Sequence, residues 1–381
     1  MQDTLVNDDR IILRTSKRVR NILLFIIISL IFTIANIVLI SLTLNVVNNR
    51  LKSIINDNKL SLDSTYAESI RIDEVMIHLN QFQNLAAINN RTRSVKTSGF
   101  NQTIDYITDS RNPSMNASVF ISINVMTNDT FPVANICADT ATGNVTQTIV
   151  IGSHSDSVTA GPGINDNGSG SAANLALAVT LARLFQTKSY VKYKYRIRFC
   201  WWGAEELGLL GSAYHVGQAQ NSTIIGERIT DYLINLNFDM LGSPNYMFVI
   251  PGSNRVSALF RDWFIRQKLP WDYTALDGLS DYAPFLAAGV VAGGLFSGAD
   301  NLKNQEQRDR YDKLLGQGLG GTADASQDPC YHKACDSIQN INIIAYEKMV
   351  QAAAYVIETL AQKDNLQAWL YPSNTIENEN H

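Results

Sequence analysis

His154, Asp166, Glu205, Glu206, Asp239 and His332 follow one another along this 381-residue chain, each at the end of an apolar run or in a tight, glycine-containing loop. Imidazole nitrogen and carboxylate oxygen are the ligands of Zn²⁺, and cobalt or manganese can take the same donors. Two such ions held ~3.5–4 Å apart need a bridging carboxylate, usually with a shared water or hydroxide. A bridge plus two further ligands per ion uses five residues. These are Asp166 as the bridge, His154 and Asp239 on one ion, and Glu206 and His332 on the other. The positive charge left over favours deprotonating a bound water near neutral pH. Glu205 is then a free carboxylate. Adjacent residues of extended chain point in different directions, so Glu206 can ligate while Glu205 faces the water as a general base. The remaining histidines, His78, His215 and His381, stand outside any such pattern and read as core or surface.

The segments around these residues suit the task. Residues 147–153 (QTIVIGS), 195–201 and 232–238 are apolar runs that read as buried strands. They deliver His154, the Glu205–Glu206 pair and Asp239 at their carboxyl ends, where open α/β sheets place their ligand sites. The glycine-rich stretch 160–170 carries Asp166 and leads into a helical stretch at 171–185. No Gly-Lys-Ser/Thr follows it, so a phosphate-cradling P-loop does not fit. Residues 72–85 and 342–362 have the apolar spacing of amphipathic helices that cover a sheet. The expected fold is one α/β domain over 72–365, with a mixed, mainly parallel central sheet flanked by helices.

Long blocks of the chain resemble the di-zinc aminopeptidases of the M28 peptidase family, and most of all its secreted bacterial, leucine-preferring members. The blocks are HSDS at 154–157, GINDNGSGSAA at 163–173, WWGAEELGLLGS at 201–212 and LNFDMLGSPN at 236–245. SDYAPF at 280–285, GGLFSGA at 293–299 and CYHKACDSIQNIN at 330–342 complete them, and the similarity covers roughly 72–362. The resemblance implies the zinc exopeptidase fold, two Zn²⁺ per chain and the ligand roles given above. It further implies that Tyr331 stabilises the oxyanion and that Asp156 orients His154. A cis peptide between Asp166 and Asn167 and a Cys330–Cys335 disulfide belong to the same expectation. The substrates would be peptides with a free N-terminus, held by Glu205, Asp239 and a backbone carbonyl near Leu279. Met240 and Phe296 would line an apolar pocket that prefers Leu, Met or Phe. The chain departs from those relatives at Leu279, where they carry Arg, and at Tyr282, where they carry His.

Other exopeptidases of the family, dipeptidases or carboxypeptidases, need a cationic grip on a substrate carboxylate, and no suitably placed Arg accompanies these motifs. Related glutaminyl cyclases use one zinc, whereas this chain keeps ligands for two. The alternative of a different class is a catalytically inactive, receptor-like ectodomain, which would not need Glu205 or the five ligands.

Residues 22–47 carry no charge. As a helix at ~1.5 Å per residue they can cross a ~30 Å hydrocarbon core with some tilt. Arg10, Arg14, Lys17, Arg18 and Arg20 precede the run and Arg50, Lys52 and Lys59 follow it. That bias favours a cytoplasmic tail (1–21), a signal anchor (22–47) and a stalk (48–71), with the catalytic domain extracellular or lumenal and a C-terminal tail at 366–381. The expected protein is therefore a single-pass type II membrane protein, attached through its N-terminal helix. Glycosylation sequons at Asn90, Asn101, Asn116, Asn128, Asn144, Asn167 and Asn221 agree with that compartment, Asn167 being set aside as part of the active-site loop. Cys137 and Cys200 have no assigned partner, and Cys200 reads as a packed thiol in a buried strand. A net charge of −4 without a basic stripe gives no reason to expect nucleic-acid binding.

Overall fold

The computed structural model describes residues 64–109, 120–128 and 131–372. The tail 1–21, the apolar run 22–47 and the stalk up to residue 63 lie outside the described residues, as does Asn116. Among the described residues, no helix is long and apolar enough to cross a membrane.

A six-stranded sheet forms the centre. Its strands are β1 (Phe120–Asn128), β2 (Phe131–Asp139), β3 (Asn144–His154), β4 (Tyr195–Trp202), β5 (Tyr232–Phe238) and β6 (Val291–Leu295). The spatial order is β1-β2-β4-β3-β5-β6. β1 pairs with β2 and β2 with β4 antiparallel, while β4, β3, β5 and β6 run parallel. The expected mixed, mainly parallel α/β fold is observed. The helices that position the site are α1 (Ile72–Ile88), α2 (Gly170–Gln186), α3 (Leu210–Asn221), α4 (Tyr282–Ala287) and α5 (Ile343–Ala361).

Successive residues of a strand face opposite sides of a sheet, and here both sides are covered. Ile149, Ile151, Ile197, Phe199 and Trp201 pack on one face with Leu177 and Leu181 of α2 and Val350 and Ile357 of α5. Val150, Cys200 and Trp202 pack on the other with Val216 and Ala219 of α3 and Phe285 of α4. Covering both faces is why β3, β4 and β5 read as continuous apolar runs instead of alternating ones. Each fully buried aliphatic or aromatic side chain contributes ~1.5–3 kcal/mol.

Three expectations need correction. Residues 64–71 are not stalk: Thr65–Glu68 forms a helical turn whose Tyr66 is wholly buried, its hydroxyl donating to Leu177 O at 2.6 Å. Residues 366–371 are not a free tail either, because the helix Leu366–Leu370 buries both its leucines. Cys200 is not a packed thiol. It stands opposite Cys137 on the antiparallel β2–β4 pair, with Cα atoms 4.1 Å apart, and the two are disulfide-bonded. Only the strand order makes them neighbours, since 63 residues separate them in the chain.

Candidate active site

His154 is the last residue of β3 and Asp239 the first after β5. Glu205 and Glu206 lie in the turn after β4, and Asp166 lies in the loop that enters α2. A further loop between β6 and α5 brings His332. All meet at the carboxyl edge of the parallel strands. His154 Nε2 lies 3.3 Å from Asp166 Oδ1 and 3.3 Å from Asp239 Oδ1. His332 Nε2 lies 3.0 Å from Asp166 Oδ2 and 3.1 Å from Glu206 Oε2. The two triads that could each hold an ion, His154/Asp166/Asp239 and Asp166/Glu206/His332, share Asp166 through its two different oxygens. That is the geometry a bridging carboxylate requires.

Glu205 Oε2 is 4.0 Å from His154 Nε2, so this carboxylate borders the cluster without joining either triad. The reason differs from the expected alternation of an extended chain. Ala204 is left-handed at φ 58, and the carbonyl of Glu205 accepts from Gly208 N and Leu209 N in a tight turn. It is this turn that sends the two acidic side chains different ways.

His154 Nε2, Glu206 Oε1 and Asp239 Oδ1 are buried without a hydrogen-bond partner. An unpaired buried polar atom costs ~1–3 kcal/mol, and cations among these atoms would satisfy all three. Two imidazoles with three carboxylates also form a zinc-type donor set. The residues fit the metals that the resemblance implies.

The electrostatics point the same way. Burial opposes a charge on His154, yet the carboxylates of Glu205, Asp239, Asp156 and Asp166 hold its proton well above the ordinary imidazole range. Hydrogen bonds to Asp166 and Glu206 raise His332 to about 10 despite its partial burial. Burial pushes Glu205 up to about 10, with Asp239, Asp281 and Asp166 adding to the shift and His154 opposing it. Burial would raise Asp166, but the two imidazoles beside it outweigh that and hold it down to about 2. The cluster thus carries an excess of negative charge that gathers protons, and divalent cations would compete for the same places.

A surrounding set of groups fixes the side chains of the two triads. Asp156 Oδ1 lies 3.4 Å from His154 Nδ1 and accepts the amide of Glu205 at 3.2 Å, so it orients both. The peptide between Asp166 and Asn167 is cis. Asn167 is wholly buried, donating to Phe238 O at 3.0 Å and accepting from Met240 N at 3.1 Å, so this sequon cannot take a glycan. Asn90, Asn101, Asn144 and Asn221 are exposed, and nothing is described of the side chain of Asn128. The Cys330–Cys335 disulfide closes the loop that carries Tyr331 and His332, and the two rings stack at 3.8 Å. Burial and the neighbouring carboxylates raise the Tyr331 phenol, which keeps it a proton donor.

Sequence reasoning missed two groups. Ser280 Oγ donates to Asp239 Oδ2 at 2.6 Å. Asp336 accepts the amides of Asn165 and Asp166 at 2.8 and 3.0 Å. Both lie inside the blocks SDYAPF and CYHKACDSIQNIN. Those blocks were the available signal, but the partners come from distant parts of the chain.

A cavity of about 600 Å³ opens over the cluster. Met240, Phe296 and Leu279, the expected substrate-binding residues, all line it, with Leu295, Tyr282 and Tyr331. Met240 is buried, Phe296 half-buried, and Leu279 is 78% exposed at the mouth. No Arg or Lys is among the described residues of the lining.

The family model described as Peptidase family M28 matches residues 135–357. Leupeptin-inactivating enzyme 1 of Streptomyces exfoliatus is 40% identical over 295 residues, which are 76% of this chain and 62% of that protein. An aminopeptidase of Pseudomonas aeruginosa is 41% identical over 240 residues, 60% of this chain and 41% of that protein. The chain therefore corresponds to less than two thirds of either relative's length. The LapA aminopeptidase of Legionella pneumophila has a similar fold, with a TM-score of 0.60 at 19% identity over 79% of this chain and 74% of that one.

Proposed function

Because the chain belongs to peptidase family M28, we propose that it is a di-zinc aminopeptidase acting on peptides with a free N-terminus, preferring large apolar first residues such as Leu. The observation that carries this reading is the pair of triads sharing Asp166, with Glu205 beside them in a cavity whose lining also presents the apolar Met240, Leu295 and Phe296. His154, Asp166 and Asp239 would hold one Zn²⁺, and Asp166, Glu206 and His332 the other. Zinc bound there supplies Lewis acidity toward the scissile carbonyl and lowers the pKa of water.

The side chains divide the remaining work. Glu205 takes a proton from the attacking water and returns it to the leaving amine. A carboxylate whose proton affinity is raised by burial and by Asp239 and Asp281 is suited to receive that proton. The Tyr331 hydroxyl donates to the oxyanion that develops on the carbonyl. Glu205, Asp239 and the Leu279 carbonyl hold the substrate ammonium, which restricts cleavage to unblocked N-termini. Met240 and Phe296 bury an apolar first side chain. A lining without Arg or Lys supports an aminopeptidase over a carboxypeptidase, which must pair a substrate carboxylate.

The test is hydrolysis of a panel of amino-acyl amides by the purified protein, with zinc added and then chelated. Zinc-dependent release of Leu, Met or Phe, with N-acetylated substrates inert, is expected. No hydrolysis by folded, zinc-loaded protein would overturn the reading.

We further propose that residues 22–47 anchor the protein with its catalytic domain outside the cytoplasm, on the strength of their uncharged apolar run and the preceding basic residues. Resistance to carbonate extraction together with protease access from the non-cytoplasmic side is expected. Full release by carbonate would sink the proposal.

A further inference from the structure

Arg93 is wholly buried, and among the described residues it makes no ion pair. Its guanidinium instead spends its donors on backbone carbonyls: Nε on Pro162 O at 3.0 Å, Nη1 on Ser155 O at 2.7 Å, and Nη2 on Gly163 O. All three belong to the segment between the ligands His154 and Asp166, one residue after the first and three before the second. That segment is irregular, with Gly163 left-handed at φ 59, so it has no helix or strand ladder of its own to hold it. The neighbours of Arg93 grip it too. The amide of Arg93 donates to Ser157 Oγ at 3.0 Å and Thr92 Oγ1 donates to Val158 O at 2.9 Å.

From the other side, Asp336 accepts the amides of Asn165 and Asp166. The loop is thus clamped between a cation on its carbonyls and an anion on its amides. Burying an unpaired guanidinium is costly. What surrounds this one at longer range is the carboxylate cluster itself, Asp156, Asp336, Asp166 and Glu206, whose charges help keep it protonated. The ring of Phe82, on α1, lies 5.2 Å from the guanidinium carbon. Arg93 and Phe82 both lie outside the 135–357 match to the family model.

We infer that Arg93 is a positioning residue of the metal centre, through which the segment 64–109 completes a site whose ligands all come from elsewhere in the chain. This rests on the zinc reading above, but its test needs no substrate. Outer partners of metal ligands typically set affinity by ~10–100-fold. The experiment compares full-length wild type, R93K, R93Q and R198K by zinc content after equilibration with chelators of graded strength, alongside thermal unfolding. Arg198 is an equally buried arginine in the middle of β4, paired with Asp139 and Glu227, and serves as the control for stability alone.

The expected result is that R93Q loses zinc to chelators ~10–100-fold weaker than wild type requires. R93K, which keeps the charge but loses the fork, should fall between, and R198K should unfold at lower temperature while holding zinc like wild type. If R93Q does not fold, R93K against R198K carries the comparison. Zinc affinity unchanged in R93K and R93Q, or lowered no more than in an R198K variant of matched unfolding temperature, would overturn the inference. Wild type that binds zinc but cleaves no amino-acyl amide would sink the aminopeptidase reading and leave the role of Arg93 standing. Wild type that holds no zinc would overturn both.

Discussion

At the scale of single residues, what distinguishes this site is that two adjacent carboxylates take different places. Glu206 sits within 3.1 Å of His332, whereas Glu205 stands 4.0 Å from His154 and outside both triads. If Glu205 is the proton acceptor as proposed, replacing it with Gln removes that function and leaves both triads intact. Glu205→Gln should lower kcat by ~10²–10⁴-fold with zinc content unchanged, and parallel loss of both would place Glu205 among the ligands. The histidines give a second prediction. In the metal-free site, carboxylates raise His154 against the opposing effect of its burial and hold His332 at about 10, so the His332 imidazole carries a proton at pH 7.5. Ligation requires the neutral ring. Zinc loading at pH 7.5 should therefore release protons, and zinc affinity should fall as the pH is lowered. Calorimetry in buffers of different ionisation enthalpy reads the release directly, and buffer-independent heats would contradict it.

At the scale of elements, two connections do what the strands cannot. The loop before α4 is tied by Tyr282, whose hydroxyl donates to Asp277 Oδ1 at 2.5 Å and accepts from Gly278 N at 3.1 Å. This loop presents Leu279 at the cavity mouth and Ser280 to Asp239, and Tyr282 stands where the secreted relatives are expected to carry His. Removing the hydroxyl costs ~1 kcal/mol of loop order. Tyr282→Phe should raise KM severalfold, approaching ~10-fold at ~1.4 kcal/mol, with a smaller effect on kcat. An unchanged KM would show that the loop orders itself. The second connection is the Cys137–Cys200 bond, which ties β4, the strand leading to the glutamates, to the antiparallel β2. Because it closes a loop of 63 residues, replacing both cysteines with Ala should cost ~2–5 kcal/mol, read as a lower unfolding midpoint. Zinc content under native conditions should persist.

At the scale of the whole molecule, pH acts on groups that belong to neither triad. His215 is buried against Tyr232, and burial lowers its pKa from 6.5 to about 3, with Arg198 adding to the shift. Below pH 6.5 the unfolded chain binds a proton that the folded one refuses. The stability contributed by neutral His215 is therefore complete above pH 6.5 and is lost as the pH falls from 6.5 toward 3. Denaturant unfolding of His215→Phe should show a shallower decline between pH 7 and 4, whereas parallel declines would remove His215 from the account. By itself the sequence determined the three parallel strands that end in acidic or imidazole groups, the five residues that meet in the two triads and the carboxylate beside them. Apolar runs buried on both faces and short polar motifs at their ends are local signals, which need no knowledge of distant contacts. Only the tertiary structure decided how Glu205 and Glu206 diverge, because a left-handed Ala204 in a turn is not written as a periodicity. Strand order decided that Cys200 pairs with Cys137. Packing against α2 and α5 decided that residues 64–71 belong to the domain. Long-range contacts likewise gave Arg93, Ser280 and Asp336 their partners, since each meets a group far away in the chain that no spacing rule connects to it.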